Sequence, residues 1–359
     1  MKVYRYIYSG WLAALLMGWG CLMTDCTDHQ EIEVVMPDVP DEQPLGIHAL
    51  TRADGDTDPM KNVSVKLFLL PNGSTTDTGG EVTYTGKDDG SSEFVFGTSA
   101  LYVKPGTDYR VFGFMPASAA TGTSSVTMNE ETAVATMTVN GLPAISTQDI
   151  SVVVGVKGGK LTALEPTVTL GQFAYHAPEN TVDGYGVSLL RDHLYAGVTF
   201  NFSISVTYNA LRTIKLKKVV MKSASQKVNA SIPFKTDDVG IHPIRTAPTT
   251  TDAGTQDEVI LYQSENTTGE ALTVKTANTP LACSGYFWPG IGAGLTIEST
   301  YDVYDKNNHL IRENCKAVNG LSIVLGGLNR GERKVVSLTV DPTYLYVLSD
   351  WDNPGFVVN

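Results

Sequence analysis

Residues 198–208 read Val198-Thr-Phe-Asn-Phe-Ser-Ile-Ser-Val-Thr-Tyr208, and this stretch decides the fold class. Every second residue is apolar and the residues between them are polar. This period of two is typical of a β-strand that buries one face and exposes the other. Residues 62–69 show a similar alternation and run into Pro71-Asn-Gly73, which is a turn signal. The chain is therefore expected to consist of antiparallel sheets.

Further strand-like segments, separated by turns rich in Gly, Ser, Asp and Asn, cover most of the chain. They are 93–97, 109–115, 133–140, 150–156, 167–175, 213–221, 295–304, 310–318, 335–340 and 343–351. Lys217-Lys218 interrupts one alternation and indicates a β-bulge, whereas Asp305–Asn308 has the composition of a hairpin turn. The segment Ser188–Tyr195 is the one candidate for a short helix or a kinked entry.

Many short strands without intervening helices predict β-sandwiches rather than a parallel sheet. A polar, Gly-containing stretch at 177–185 is the expected domain boundary. We therefore predict an all-β protein with two tandem antiparallel β-sandwich domains, the first over residues 53–183 and the second over residues 184–359.

The composition narrows the class of protein. The 359 residues are 42% hydrophobic and only 18% charged, which excludes a disordered chain. The net charge of −12 argues against a nucleic-acid partner, because phosphate contacts need a clustered basic surface. These values describe an acidic, turn-rich globular protein.

The first residues have the form of an export signal. Lys2 and Arg5 precede an apolar run over residues 11–20, which is shorter than the roughly 20 residues that span a bilayer. A cysteine follows directly, as in bacterial lipoprotein signals. We expect a signal peptide over 1–20 and lipidation at Cys21, with Cys26 as the alternative and a plain secretory signal also open. Residues 21–52 then form an acidic tether and a first short strand.

No catalytic, metal or cofactor motif is present in the sequence. The nucleophile elbow, the phosphate-binding loop and the zinc-protease helix motif are all missing. The six histidines are scattered, so we predict no enzyme activity, no metal and no cofactor. Cys283 and Cys315 could form a disulfide in an oxidising compartment or remain as two buried thiols.

The order of these parts resembles the fimbrillin superfamily of Bacteroidales, the type V pilins. The resemblance rests on three segments: Leu50-Thr-Arg52-Ala53, residues 189–200, and Leu345–Trp351. It implies transthyretin-like sandwiches and a fimbrial structural subunit that is exported to the cell surface as an outer-membrane lipoprotein precursor.

The resemblance also implies how the subunit matures. An Arg-specific protease would cut between Arg52 and Ala53 and release the lipidated piece with the first strand. A strand from the tail of another fimbrial subunit would then refill the vacated groove and build an extracellular, adhesive fimbrium head to tail. The expected donor residues are Leu345, Val347, Trp351, Phe356 and Val358.

Two other interpretations remain open at this point. One is a lipid-retained fimbrial anchor, because the sequence does not distinguish stalk, tip and anchor subunits. The other is a surface lipoprotein that binds glycans through exposed aromatic side chains such as Trp288 or Trp351, although packing in the core or in the donor strand is the preferred role of both.

Overall fold

The computed structural model of the protein is built almost entirely from β-strands, which confirms the all-β prediction. It describes residues 42–52, 63–75, 77–86, 92–96, 100–129, 131, 134–155, 174–179, 184–225, 227–234, 249–251, 257–275, 280–340 and 356–358. All of them belong to one unit, Asp41–Asn359.

The first sheet has nine strands. Their spatial order is β4-β3-β2-β6-β10-β12-β1-β5, and β11 also pairs with β6. The strands are β1 (Gln43–Arg52), β2 (Val63–Pro71), β3 (Thr78–Gly86), β4 (Ser92–Phe96), β5 (Tyr102–Val103), β6 (Asp108–Met115), β10 (Ser151–Gly155), β11 (Ala174–His176) and β12 (Tyr185–His193).

A second sheet of four strands covers one face of the first. Its order is β16-β15-β8-β7, and all its pairs are antiparallel. The strands are β7 (Ser124–Asn129), β8 (Val134–Pro143), β15 (Lys227–Phe234) and β16 (Thr249–Thr251). Since β7 and β8 precede β12 in the chain and β15 follows it, this sheet draws strands from both halves of the sequence.

Two further sheets pack around another core. One has the order β23-β22-β13-β19-β9, and the other has the order β17-β14-β20-β21 with β18 also paired to β14. The strands are β9 (Ile145–Ser146), β13 (Ala196–Ile204), β14 (Thr213–Ser223), β17 (Asp257–Gln263), β18 (Glu270–Ala271), β19 (Leu281–Phe287), β20 (Thr296–Tyr304), β21 (Leu310–Gly320), β22 (Arg333–Val340) and β23 (Phe356–Val358).

Helical structure among the described residues is confined to single turns. It comprises α1 (Val206–Leu211), α2 (Ser322–Leu325) and two 3-10 turns at Ala117–Ala119 and Gly292–Gly294. The prediction of a strand running through Tyr208 is wrong beyond Ile204. The hydroxyl of Ser205 caps α1 by accepting a hydrogen bond from the backbone N–H of Tyr208.

Three apolar clusters hold these sheets together. The first, here called the inner core, lies on one face of the nine-stranded sheet and includes Leu45 and Ile47. The second lies between that sheet and the four-stranded sheet and contains Phe112 and Trp288. The third fills the space between the last two sheets and contains Phe200.

Of the two alternatives for Ser188–Tyr195, a short helix or a kinked entry, the helix is wrong, because residues 185–193 form strand β12. Leu189 contributes to the inner core and Leu190 to the cluster on the opposite face of the same sheet. A strand that is buried on both faces shows no alternation of polar and apolar residues. The absence of a period of two was therefore misleading here.

Two local predictions are confirmed. The register of β14 against β20 shifts between Leu216 and Lys218, so Lys217 is the extra residue of a bulge. β20 and β21 form an antiparallel hairpin around Asp305–Asn308, where the Asp305 carboxylate accepts hydrogen bonds from the backbone N–H groups of Asn307 and His309. The two-domain division at residues 183/184 remains a prediction, and the strand that follows it, β12, lies in the first sheet.

Candidate assembly site at the first strand

The first strand occupies the position next to the edge of its sheet. It runs parallel to β12, with Leu45 opposite Tyr185 at one end and Arg52 opposite Arg191 at the other. The register shifts between Ile47 and Ala49, so the strand contains a bulge there. Within the described ranges, β12 therefore supplies most of the sheet pairing of β1.

The other edge of β1 is paired over a short length only. β5 meets Gln43 and Pro44, and the backbone N–H of Leu45 donates to the carbonyl oxygen of Leu101 at 2.9 Å. Beyond Leu45, no strand within the described part of the chain pairs with β1 on this side. A strand with one largely open edge can leave the sheet without breaking two ladders of hydrogen bonds.

Two side chains tie β1 to the inner core. Leu45 and Ile47 both have an exposed fraction of 0%. Their cluster includes Val187 from β12, Val82 from β3 and Leu101 from the loop before β5. Removing β1 would uncover an apolar groove and free one backbone edge of β12.

The partner strand β12 is anchored by a cluster of buried charged side chains. Arg191 Nη2 lies 3.1 Å from Asp149 Oδ2, and Arg191 Nε donates to Ser151 Oγ at 2.9 Å. His193 Nδ1 lies 2.5 Å from the same Asp149 oxygen, and Arg330 pairs with Asp192. These contacts fix β12 from the side of β10 and of the loop before β22.

The last described strand, β23, lies at the edge of a different sheet. It pairs antiparallel with β22 over three positions, with Phe356 opposite Val340 and Val358 opposite Leu338. These are two of the five predicted donor residues. The other three, Leu345, Val347 and Trp351, lie outside the described residues, as do Cys21, Cys26 and Ala53.

The two remaining cysteines are buried free thiols in the structure, which is the second of the two alternatives given by the sequence. Cys283 lies on β19 and Cys315 on β21, in different sheets around the same core. Burial raises the pKa of the Cys283 thiol to about 12 and also raises the pKa of Cys315. Burial thus favours the protonated, less nucleophilic form of both thiols.

Trp288 lies in the core and not on the surface. Its exposed fraction is 1%, and its ring packs edge-on against Tyr195 with centroids 5.9 Å apart. It cannot stack on a sugar ring, so the expected packing role is confirmed for this residue. Among the described residues there is no cluster of three or more metal-binding side chains and no helix suited to crossing a membrane.

Comparisons with known proteins found similar folds only among solved structures. No family model and no curated protein matches the chain. A candidate cell adhesion protein from Bacteroides fragilis is similar at a TM-score of 0.42 and 13% identity, over 89% of this chain and 96% of that one.

Two further solved structures are similar at lower scores. A fimbrial protein from Bacteroides vulgatus has a TM-score of 0.35 and 12% identity, over 83% of this chain and 94% of that one. The tip fimbrial protein Mfa3 from Porphyromonas gingivalis, truncated at its C-terminus, has a TM-score of 0.29 and 10% identity, over 84% and 96%. At these scores the likenesses carry no argument about function.

Most of this site was accessible from the sequence, but its anchoring was not. The sequence pattern places Arg52 at the end of a short apolar strand, and Arg52 is the last residue of β1. The ion cluster around Asp149 was missed, because Arg191 and Arg333 are remote from it in sequence. No local pattern indicates such a cluster.

Proposed function

We propose that the protein is a structural subunit of a fimbrium that assembles by exchange of strands between copies or related subunits. The observation that carries the proposal is the position of β1. Among the described residues, β12 is the one strand that pairs with β1 along most of its length, yet β1 buries Leu45 and Ile47 completely in the inner core. A piece that fills a core from the margin of a sheet can be exchanged for an equivalent piece from another chain.

Maturation begins at the cell surface in this proposal. The precursor is an outer-membrane lipoprotein acylated at Cys21 or, alternatively, Cys26. An Arg-specific protease then cuts between Arg52 and Ala53, immediately after the last residue of β1. The cut severs β1 from the rest of the chain, so its release is no longer opposed by the covalent connection to β2.

Vacating the groove creates the driving force for assembly. Apolar side chains of the inner core become exposed, and β12 presents unpaired backbone groups, a state that proteins avoid. An extended segment from another subunit covers these apolar side chains again and pairs with the free backbone groups of β12. This mode of recognition is called β-strand addition. The donor is the tail of that subunit, with Leu345, Val347, Trp351, Phe356 and Val358 as the residues that supply apolar contacts.

The geometry of donor and acceptor supports a filament. The acceptor groove lies beside β12 in the nine-stranded sheet, and β23 lies in another sheet. A contact between two different surfaces of one chain is head-to-tail, and it propagates instead of closing as a symmetric dimer.

Limited proteolysis of the purified precursor tests this function. An Arg-specific protease should cut first between Arg52 and Ala53, and the product should form oligomers that survive SDS without heating. The matched control is Arg52→Lys, which keeps the charge but removes the specific site. It should stay monomeric with the Arg-specific protease and should assemble when trypsin is used instead. Cleavage scattered over many sites, with no oligomers, would contradict the proposal.

Mass spectrometry of the N-terminus of the native protein tests the maturation pathway. A processed subunit begins at Ala53. A chain that begins at acylated Cys21 or Cys26 in assembled fimbriae would instead identify a lipid-retained anchor. A plain unacylated start before residue 52 would contradict the lipoprotein step.

A further inference from the structure

A cavity of about 340 Å³ lies at one end of the four-stranded sheet, and none of its lining residues belongs to β1 or β12. It is formed by the connection after β6, the end of β8, the residues on both sides of β9 and the start of β15. Its polar lining consists of Ser118, Thr121, Ser146, Gln148 and Lys227. The volume is within the range of about 300–1,000 Å³ that small-molecule sites occupy.

Hydrogen bonds fix the wall of this cavity in advance. Gly141 has a φ of +74°, and its N–H donates to Asn229 Oδ1 at 2.9 Å. Its carbonyl oxygen accepts from both the backbone N–H and the hydroxyl of Thr121, each at 3.1 Å. A Cβ at Gly141 would lie 2.7 Å from Thr121 Oγ1. The close approach therefore requires glycine, and the site needs little rearrangement to accept a ligand.

Among the described residues, no carboxylate neutralises the positive charge of Lys227 in the cavity. Lys227 Nζ donates to Thr121 Oγ1 at 2.9 Å. Within the described ranges, Lys227 makes no ion pair with a carboxylate. An ammonium group has three donors, so two remain available for an anionic oxygen of a ligand.

The rest of the lining combines short polar side chains with an apolar part. Ser118 and Gln148 are exposed and offer a hydroxyl and an amide. Pro116, Pro143 and Ile150 supply the apolar contacts. This mixture suits a compact ring that carries hydroxyl groups at its rim and C–H groups on its faces.

We propose that this cavity binds an acidic monosaccharide unit, with Lys227 facing the sugar carboxylate and the hydroxyl and amide groups facing the sugar hydroxyls. The site does not use Trp288, which is buried, and it does not depend on strand exchange. Binding and assembly can therefore succeed or fail separately in experiments.

Saturation-transfer NMR and titration calorimetry on the full-length chain test the site, with methyl glucuronide as the probe and methyl glucoside as its neutral counterpart. The glucuronide should bind at millimolar concentration and the glucoside at least about tenfold more weakly, because a charged hydrogen bond is lost. Lys227→Gln should weaken glucuronide binding about tenfold and leave glucoside binding unchanged. The control Lys334→Gln, on an exposed lysine of β22, should behave as the wild type.

A second variant keeps the test decisive if Lys227→Gln does not fold. Ser118→Trp places a large side chain at an exposed position of the lining, and it should abolish binding of the glucuronide. Equal binding of both sugars, or glucuronide binding that survives Ser118→Trp, would overturn the proposal. So would the absence of any glucuronide binding at millimolar concentration.

Discussion

The first and last strands of the described chain both lie at or next to the margin of a sheet, but they are attached in different ways. β1 pairs with β12 from Leu45 to Arg52 and places two fully buried side chains in the inner core. The described part of β23 pairs with β22 over three positions. The strand that would have to leave is thus a full part of the core, whereas the tail that would be donated is held by a short ladder.

This difference would give a physical role to the proposed cut after Arg52. A strand bound through core packing does not dissociate on its own while the chain connects it to its neighbours, because it rebinds at high effective concentration. Cutting the connection removes that advantage without changing any contact.

The largest effect is expected where the core side chains of β1 are truncated. The double variant Leu45→Ala/Ile47→Ala should lower the free energy of unfolding by on the order of 5 kcal/mol, because each deletion leaves a cavity among buried neighbours. Denaturant unfolding followed by fluorescence measures this. The control Val335→Ala, at a side chain that is 62% exposed, should change stability by less than about 0.5 kcal/mol. A double variant as stable as this control would show that β1 does not pack in the core.

A second variant asks whether β12 is held independently of β1. Asp149→Ala leaves Arg191 and His193 buried without their carboxylate, and it should cost about 3–5 kcal/mol. The matched control is Asp108→Ala, since Asp108 also contacts a histidine, His176, at 2.8 Å, but both side chains are 59% exposed. The control should cost less than about 1 kcal/mol.

The cost of Asp149→Ala should also be similar in the precursor and in the chain cut after Arg52, with urea midpoints as the readout. If the loss disappeared after the cut, the ion cluster would act through β1. The result would then contradict the view that β12 is anchored independently of an exchangeable β1.

Whether a strand of this fold could be predicted from the sequence depends on how many of its faces are buried. β13 buries mainly one face along much of its length, and its alternation indicates a strand. β12 is buried on both faces, and its sequence suggests a short helix or a kinked entry instead. The bulge at Lys217 and the hairpin at Asp305–Asn308 follow from local chemistry and were predicted. The Asp149 cluster and the cavity at Lys227 arise from residues brought together by strand pairing, for which a single sequence contains no signal.

A smaller effect is expected at the other strand. Removal of residues 355–359 deletes β23 and should change the free energy of unfolding by less than about 1 kcal/mol, because a three-residue edge ladder gains little beyond the entropy of ordering it. The measurement is the urea midpoint of the monomeric precursor. The same deletion should reduce assembly of the cut protein, because Phe356 and Val358 are among the donor residues. A loss of several kcal/mol in the monomer would mean that the tail is a permanent part of its own core.

The smallest expected effect is a pH dependence of stability, which distinguishes stabilisation by charge from stabilisation by apolar packing. Hydrogen bonds from Lys222 at 2.8 Å and Lys316 at 2.9 Å lower the pKa of Glu298 on β20. A carboxyl group whose pKa is lower in the folded state stabilises the protein above its unfolded pKa of about 4.3, and this stability is lost as the pH falls through the folded pKa. Glu298→Gln should therefore cost up to about 1 kcal/mol at neutral pH and almost nothing in strong acid. Glu258→Gln is the matched control, because Glu258 is 59% exposed and lies 3.8 Å from Lys222.

The cost of Ile47→Ala should be the same at both pH values, since no titrating group contributes to the contact of Ile47 with the inner core. If acid reduced the cost of Ile47→Ala as well, the attachment of β1 would rest on charge and not on packing.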